Sequence, residues 1–504
     1  MTRTVDTRFH ACMHLAAIYN PNVHLQSLQQ ALLKMSAKSK LPLLILILSV
    51  AALFAGLAFA KQDPELKQCS HQCRVQQQFD EKQKQECARK CEEYHQDKKS
   101  REWEEDKKQT KEYEEEEKHN PYVFEDRHFS TAIKTGKGRV DILTKFTENS
   151  DLLRAIENYR LALLVADPRA FIVPNHFDAN AVFVVTQGRG RITLIHEDKR
   201  QSFNIETGDI IRIRAGTPLY LINRDDNEKL FIVKLLQPVN RPDYYDVFYG
   251  AGGAKPKSFF ETFSTEILEA VLKTSRDKLE SFFEKQGKDA FLEASKEQIE
   301  AMSRREEGTG GGGMWPFGAE SKNPFNLFRK RRPSKFNKYG QLFEVDADEF
   351  KQLKDFDLRV SYANISRGSM TAPFYNSRAI KISIVVQGQG YIEMVAPQAS
   401  RKSGYEKIRS RLRPDTVFVV PAGHPFVTVA SRRTNLEILC FEVNIANNVR
   451  YLLAGEGNFV QQFEKEAKEL AFKSREEVVN RIFGNQDEEF FFPVPRQQRS
   501  RDYE

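Results

Sequence analysis

The segment Val184-Val-Thr-Gln-Gly-Arg-Gly190 recurs as Ile384-Val-Val-Gln-Gly-Gln-Gly390, 200 residues further along the chain. An apolar, β-branched run that ends in two closely spaced glycines is typical of a strand that enters a tight turn. Further matches keep nearly the same offset: Arg214-Ala-Gly216 with Pro421-Ala-Gly423, and Ser275-Arg276 with Ser474-Arg475. Internal repetition at this period indicates two tandem copies of one domain.

The sequence around both glycine segments is rich in short strand-like runs. They lie at 161–165, 182–186, 191–195, 209–213 and 229–236 in the first copy, and at 358–362, 380–386, 391–395, 416–420, 427–429 and 436–443 in the second. Many short strands at close spacing are typical of a β-sandwich or barrel. Apolar residues then follow at helical spacing, over 263–303 and 458–483. We therefore expect a mainly β fold with two tandem barrels, each with an appended α-helical segment.

The charge balance argues against a general nucleic-acid binder. The net charge of +7 is a small difference between 77 Lys and Arg residues and 70 Asp and Glu residues. A hydrophobic fraction of 40% in 504 residues is enough for two or three buried cores. The chain contains two Trp, seven Met and six Cys residues, and this sulfur-poor composition suits a nitrogen reserve.

The N-terminal part of the chain contains a secretion signal. Three lysines precede the apolar run 41–60, which ends in Ala58-Phe-Ala60. This order of basic, apolar and small residues predicts a signal peptide that is cleaved after Ala60. A membrane-spanning signal anchor is the alternative, because the run approaches spanning length. Met35 stands just ahead of the run, so the signal starts at Met1 or at Met35.

Two cysteine pairs follow the signal, Cys69-x3-Cys73 and Cys87-x3-Cys91. Cysteines four positions apart share one face of a helix, so two short helices folded back on each other can be joined twice. Three pairings are possible; an antiparallel hairpin favours Cys69 with Cys91 and Cys73 with Cys87. The secretory route supplies an oxidising compartment for these disulfides. A zinc site is the competing interpretation.

Composition divides the chain into seven segments. They are an upstream extension that need not be translated (1–34), a signal peptide (35–60), a charged pro-region with the helical hairpin (61–119), a first domain with its helical appendage (120–305), a flexible linker (306–339), a second domain with its helical appendage (340–484) and a C-terminal tail (485–504). The linker is inferred from four consecutive glycines at 310–313 and the basic run 329–332.

The glycine spacing of both copies resembles the motifs of the cupin superfamily. The second copy keeps the frame of the first motif from Gly368 to Gly388, and the first copy keeps that of the second motif from Gly208 to Asn223. Within this superfamily the chain resembles the vicilin-like 7S seed storage globulins over residues 61–495. The resemblance rests on the C-x3-C pairs and on segments 120–124, 263–270, 323–328, 375–379, 466–471 and 490–493.

The resemblance implies a bicupin that forms a homotrimer and serves as a nutrient reservoir, mobilised by processing proteases at germination. It also implies transport through the secretory pathway to protein storage vacuoles or protein bodies of the seed, with no stable membrane association after signal removal. It suggests allergenicity as well. The alternative function is a non-enzymatic ligand- or sugar-binding bicupin whose cysteine hairpin is released as an antimicrobial peptide.

Enzymatic cupins hold a metal ion with three histidines and a carboxylate inside the barrel. The corresponding positions in the second copy are Phe374, Asn376, Lys381 and Phe426, and in the first copy His176, Asp178, Val182 or Phe183, and Leu219. These sets are too poor in ligands for a catalytic site. We therefore expect no cofactor, no metal and no catalytic residue, with His176, Asp178 and His424 as weak metal candidates. Asn364-Ile-Ser366 is a candidate glycosylation sequon.

Overall fold

The computed structural model describes residues 69, 72–73, 80–94, 96–97, 120–197, 199–252, 256–287, 289–303, 324–329, 332–397 and 404–494. The predicted upstream extension and signal peptide lie outside these residues. The chain divides into two compact units, Met1–Thr110 and Lys111–Glu504, and each is considered by itself. Among the described residues, every helix is too short or too polar to cross a membrane.

The described part of the first unit is a helical hairpin joined by two disulfides. Residues 69 and 72–73 are helical, and a longer helix covers 81–94. The side chain of Asp80 accepts a hydrogen bond from the backbone of Gln83, whose side chain accepts one from the backbone of Asp80. This reciprocal capping fixes the start of the longer helix. The bonds are Cys69–Cys91 and Cys73–Cys87, so the nested pairing is confirmed.

The second unit contains two β-barrels built from short strands. The strands up to residue 303 are β1 Val123–Phe124, β2 Phe129–Thr135, β3 Gly138–Leu143, β4 Arg160–Ala166, β5 Ala170–Phe177, β6 Ala179–Gln187, β7 Arg189–His196, β8 Lys199–Glu206, β9 Asp209–Ile213, β10 Leu219–Asn223, β11 Leu230–Pro238, β12 Val247–Tyr249 and β13 Phe291–Glu293. The helices in this part are α1 Phe146–Asn149, α2 Thr265–Leu272, α3 Arg276–Glu284 and α4 Lys296–Ser303.

The second half repeats this order of elements. Its strands are β14 Phe325–Asn326, β15 Lys335–Asn337, β16 Gly340–Val345, β17 Leu358–Ile365, β18 Ser369–Thr371, β19 Phe374–Asn376, β20 Ile380–Gly388, β21 Gly390–Pro397, β22 Tyr405–Leu412, β23 Val417–Val420, β24 Phe426–Ala430, β25 Leu436–Val443, β26 Arg450–Leu452 and β27 Phe491–Pro493. Its α-helices are α5 Lys465–Phe472 and α6 Glu476–Phe483. The mainly β bicupin architecture with appended helices is confirmed.

Each barrel is closed by two antiparallel sheets. The first barrel has the sheet β14-β9-β6-β11-β4-β3-β2 and the sheet β12-β5-β10-β7-β8, with β13 also on β5. The second has β1-β23-β20-β25-β17-β16-β15 and β22-β21-β24-β18-β27, with β19 and β26 beside β24. In both barrels the strand that ends in the repeated glycine segment, β6 or β20, lies inside a sheet.

The repeated glycines have a steric cause. Gly188 and Gly388 have φ values of +88° and +87°, a backbone conformation that side chains disfavour. A Cβ atom on Gly388 would lie 1.7 Å from the carbonyl oxygen of Asn435, and one on Gly188 would lie 2.3 Å from that of Lys229. Only glycine therefore fits where β6 and β20 turn past the neighbouring chain segment.

The two barrels exchange edge strands. Strand β1 precedes the first barrel but pairs with β23 of the second, with Val123 opposite Phe418. Conversely, β14 precedes the second barrel but pairs with β9 of the first, with Phe325 opposite Ile210. One hydrophobic cluster joins the two barrels, because Phe124, Phe146 and Leu327 pack with the interior of the second barrel and with residues of the first such as Val184 and Ile210. The interior of the first barrel forms a separate cluster. Neither barrel is therefore complete without a segment from beyond its own limits.

This exchange corrects two sequence-based predictions. The flexible linker does not extend over the whole of 306–339, because 324–329 contains β14 and the fully buried Leu327, and β15 lies in 332–339. The C-terminal tail is also structured in part, since β27 pairs with β18 and buries Phe491. Gly, Pro and basic residues dominate the composition of the linker, and charged and amide residues that of the tail, so the few apolar side chains that anchor each segment are hidden.

We expect Phe124→Ala to destabilise both barrels together. Phe124 is fully buried and meets Phe146 edge to face, with ring centroids 5.6 Å apart. Emptying such a site costs about 3–5 kcal/mol of unfolding free energy. Phe336→Ala is the matched control, because that ring is 61% exposed. Thermal unfolding followed by calorimetry measures both; equal effects of the two substitutions would contradict a shared core.

Candidate functional site

Aromatic rings fill the end of the second barrel where a cupin metal site would lie. Phe374 on β19 and Phe426 on β24 pair across the strands, with ring centroids 4.5 Å apart. Phe490 packs against Phe374 at 5.5 Å. The side-chain oxygen of Asn376 accepts a hydrogen bond from Asn448 at 3.3 Å. Two of the four ligand positions are thus occupied by hydrocarbon that packs in the core.

The remaining position, Lys381, belongs to a buried ionic cluster. Its ammonium lies 2.5 Å from the carboxylate of Glu442, which is fully buried on the neighbouring strand. Arg450 contacts Glu442 at 3.4 Å and Glu344 at 2.7 Å. Arg359, on the other side of β25, lies 3.6 Å from Glu442 and 3.1 Å from Asp346. Three cations therefore meet three carboxylates, and the cluster is neutral overall.

The electrostatics of this cluster keep Glu442 ionised. Burial alone would raise its pKa, but the charges of Lys381 and then Arg450 outweigh burial and hold the pKa at about 2. An ionised Glu442 supplies the counter-charge that a buried lysine needs. The cations are thus engaged by the protein's own carboxylates.

A small cavity remains beside the cluster. It measures about 30 Å³ and its lining includes Ser361, Thr371, Lys381, Cys440 and Arg450. That volume suits one or two water molecules, whereas sites for small organic ligands span roughly 300–1,000 Å³. The Cys440 thiol is buried and accepts a hydrogen bond from Ser383 at 3.3 Å. This arrangement has no room for an organic substrate.

The first barrel places its two weak metal candidates outside the core. Phe177 points into the barrel, so strand alternation turns His176 outward, where it stacks on Phe248 at 5.0 Å. Both carboxylate oxygens of Asp178 accept hydrogen bonds, from the backbone of Asp246 at 2.7 Å and from Asn240 at 2.8 Å. His176 and Asp178 therefore have separate structural partners and do not converge on one point.

The third candidate, His424, lies in the second barrel. Its Nδ1 is 3.0 Å from the carbonyl oxygen of Ala422, and its ring meets Tyr122 edge to face at 6.0 Å. Within the described residues, a group of three His, Cys, Asp or Glu donors converges at one place, the hairpin cysteines Cys73, Cys87 and Cys91. Metal binding at His176, Asp178 or His424 thus stays an untested prediction, without a converging ligand set to support it.

The first barrel also contains a lysine that sequence reasoning missed. Lys234 lies on β11 among apolar neighbours, with its ammonium 4.7 Å from the ring centroid of Phe183. Burial lowers its pKa to about 7. Among the described residues it makes no ion pair, so the ring face of Phe183 is its main electrostatic contact. The one sequence signal was a charged residue inside the apolar run 230–236.

Comparison with known proteins places this fold in a family. The Cupin model matches residues 325–480, and the model of the vicilin N-terminal region matches residues 17–118. The chain is 51% identical to a vicilin of Pistacia vera, covering 92% of this chain and 98% of that protein. The chain belongs to the vicilin family. Vicilins are seed storage globulins of the 7S type.

Two further relatives bear on this vicilin. The crystal structure of the Corylus avellana vicilin superposes with a TM-score of 0.71 and 55% identity, covering 74% of this chain and 100% of that one. The sucrose-binding protein of Glycine max is 41% identical over 93% of this chain and 99% of its own length. The fold and family assignments expected from the repeat and the cysteine pairs are therefore confirmed.

We expect Glu442→Gln to destabilise this vicilin by about 3–5 kcal/mol near neutral pH, because Lys381 is left buried without its counter-charge. The folded-state pKa lies below the ordinary value of 4.5, so the ionised form stabilises the protein above that pH. This contribution is lost as the pH falls from 4.5 towards 2. The difference in unfolding free energy between variant and native protein should shrink over that range.

Denaturant unfolding at a series of pH values measures that difference. Asp151→Asn is the matched control, since the Asp151 side chain pairs with Arg154 while 86% exposed. It should cost well under 1 kcal/mol. A difference for Glu442→Gln that stays constant down to pH 2 would contradict the role assigned to the ion pair.

Proposed function

We propose that this vicilin is a non-enzymatic amino-acid reserve of the seed. The observation that carries the proposal is the closure of the second barrel: its ligand positions hold packed phenylalanines and a neutral ionic cluster, and the cavity beside them measures about 30 Å³. A compact barrel of this kind resists proteolysis until it unfolds, which suits material that must persist in dry tissue. As a reserve, the protein is useful for the amino acids that it contains and not for a reaction that it catalyses.

The route to the storage compartment follows from the N-terminal segments. The signal peptide is cleaved after Ala60, and the protein passes through the secretory pathway to protein storage vacuoles or protein bodies. Formation of the two hairpin disulfides is consistent with that route, because oxidising compartments favour them. The segment boundaries given above and removal of the pro-region 61–119 belong to the same proposal.

Mobilisation begins at positions whose sequence suits processing proteases. The basic run 329–332 offers cleavage positions for enzymes that prefer Lys or Arg, and the Arg329 side chain is 73% exposed while it pairs with Glu206. Cleavage there leaves β14 on the first barrel and β15 on the second. The initial cut therefore does not by itself unfold either barrel, and degradation proceeds from a nicked but folded protein.

Glycosylation of Asn364 is restricted by the fold. The side chain lies on β17, where its amide nitrogen donates a hydrogen bond to Glu437 at 3.2 Å and its oxygen accepts one from Asn435 at 3.1 Å. A glycan is therefore added to that nitrogen more readily before β17 pairs with β25 than afterwards. The proposal is that folding outcompetes the transfer and that the site stays largely unmodified.

The alternative function as a sugar-binding bicupin receives no support from the second barrel. The relative named for sucrose binding shares the fold, but a cavity of about 30 Å³ is an order of magnitude smaller than a disaccharide requires. Release of the cysteine hairpin as an antimicrobial peptide stays a prediction. The storage function is the one that the closed barrel interior favours.

The exposed apolar residues of the helical appendages suggest how the subunits assemble. Ile267 and Val271 on α2 are 50% and 67% exposed, and Leu470 and Ile482 on α5 and α6 are 80% and 66% exposed. Several exposed apolar side chains on neighbouring helices are typical of an interaction surface. One apolar face, on α2, lies in the first half of the chain, and another, on α5 and α6, lies in the second half. The α2 face of one subunit can therefore contact the α5 and α6 face of a neighbouring subunit. A head-to-tail contact forms a closed ring where the rotation between copies allows it, and the similarity to the vicilins gives three as the number of subunits.

The storage proposal is tested by following the protein through germination with quantitative mass spectrometry. It is expected to be abundant in dry seed and to decline as the seedling grows, with basic-run fragments appearing first. Native mass spectrometry of the purified protein should show no stoichiometric metal ion. A level that stays constant during seedling growth would sink the reserve function, and an ion bound to chains that lack the pro-region 61–119 would overturn the interpretation of the barrels.

We expect the paired substitutions Ile267→Asp and Val271→Asp to convert the trimer to monomers, because two carboxylates would be buried at each contact. Leu470→Asp on the opposite face should act in the same way. Tyr405→Asp is the control, since that ring is 79% exposed but lies on β22, away from the helices. Analytical ultracentrifugation measures the mass; trimers in all variants would show that the contact lies elsewhere.

A further inference from the structure

The four hairpin cysteines place their sulfur atoms in one compact group. The sulfurs of Cys73 and Cys91, which belong to different disulfides, lie 3.6 Å apart. The sulfurs of Cys73, Cys87 and Cys91 all lie within 4.8 Å of one another, and Cys69 is bonded to Cys91. The two bonds are therefore stacked against each other, with all four sulfurs on the inner faces of the hairpin.

This geometry is close to that of a zinc tetrathiolate. Zinc–sulfur bonds of about 2.3 Å in a tetrahedron separate neighbouring sulfurs by about 3.8 Å. The contact between Cys73 and Cys91 already has this length, and once the two sulfur–sulfur bonds are broken the bonded pairs need only side-chain rotation to reach it. The C-x3-C spacing of both arms also falls within the range of structural zinc sites. The backbone of the hairpin is thus already arranged for four ligands.

The exposure of the hairpin sulfurs suits such an exchange. Cys69 and Cys87 are half-buried, whereas Cys73 and Cys91 are 4% and 7% exposed. Each disulfide therefore has one sulfur nearer the surface, where a reductant can attack it. A surface depression of about 490 Å³ is lined by Cys69, Cys87, Cys91, Glu86 and Lys90.

We propose that the reduced hairpin is a zinc site with Cys69, Cys73, Cys87 and Cys91 as its four ligands. Two molecules of a dithiol reductant transfer four electrons and four protons to the two disulfides, which gives four thiols and two oxidised reductants. One zinc ion then binds the four sulfurs, and the four protons are released. Zinc replaces the disulfides as the link between the two arms, so the hairpin stays folded under reducing conditions.

Cobalt titration of the reduced, full-length chain tests the proposal. The chain should carry Cys12→Ser and Cys440→Ser, so that the hairpin supplies every remaining cysteine. After reduction and removal of the reductant without oxygen, Co²⁺ is expected to give a thiolate-to-metal charge-transfer band. The band should saturate at one ion per chain and disappear when Zn²⁺ is added. Absence of the band, or saturation at one ion per two chains, overturns the proposal.

Two controls separate this site from other cobalt ligands on the protein. The unreduced chain should give no charge-transfer band, because its hairpin sulfurs are bonded to one another. Cys87→Ser should weaken binding by more than about tenfold, since even changes outside the ligand shell cost that much in metal sites. Zinc should also protect four thiols from iodoacetamide, counted by mass spectrometry. Full alkylation in the presence of saturating zinc would contradict the assignment independently of any spectrum.

Discussion

The reciprocal exchange of β1 and β14 is the constraint on which the rest of the second unit depends. Each strand contributes only two residues, but it brings apolar side chains such as Phe124 and Leu327 into a core that neither barrel encloses alone. The two barrels are therefore joined by a shared apolar cluster, although the first keeps an interior of its own. Their sheets also gain a paired edge where an open strand would otherwise invite association.

Each barrel consists of two antiparallel sheets, but the side chains in the two interiors differ. The interior of the first is apolar around Lys234, whose charge is disfavoured by burial. The second contains the neutral cluster around Glu442, and truncating one partner of such a cluster costs more than the cluster itself contributes. Among the described residues neither barrel brings three metal donors together, and the second barrel has no space for an organic substrate. A fold that elsewhere supports metal chemistry is thus compatible with a purely storage function.

Local patterns predicted much of this, and long-range partners account for what they missed. The glycine segments that end at Gly190 and Gly390 predicted the two barrels, and the cysteine spacing predicted the nested disulfides. Both predictions were possible because each pattern is formed by residues that are close in sequence. The strand character of 325–326 depends on a partner 115 residues earlier, at Ile210 opposite Phe325. The pairing of Lys381 with Glu442 likewise needs the register of β20 on β25. Composition alone therefore assigned residues 325–326 to a linker and did not predict the pairing of Lys381 with Glu442.

Strand exchange also determines when each barrel can finish folding during synthesis of the chain. When the first barrel leaves the ribosome, the edge of β9 is unpaired until residues 325–326 have been synthesised, and β1 must wait for residues 417–420. The nascent protein therefore carries an open, apolar sheet edge through much of its synthesis, a state that is prone to aggregation. Chaperones in the compartment of synthesis thus face a vulnerable interval that is set by the distance between the exchanged strands.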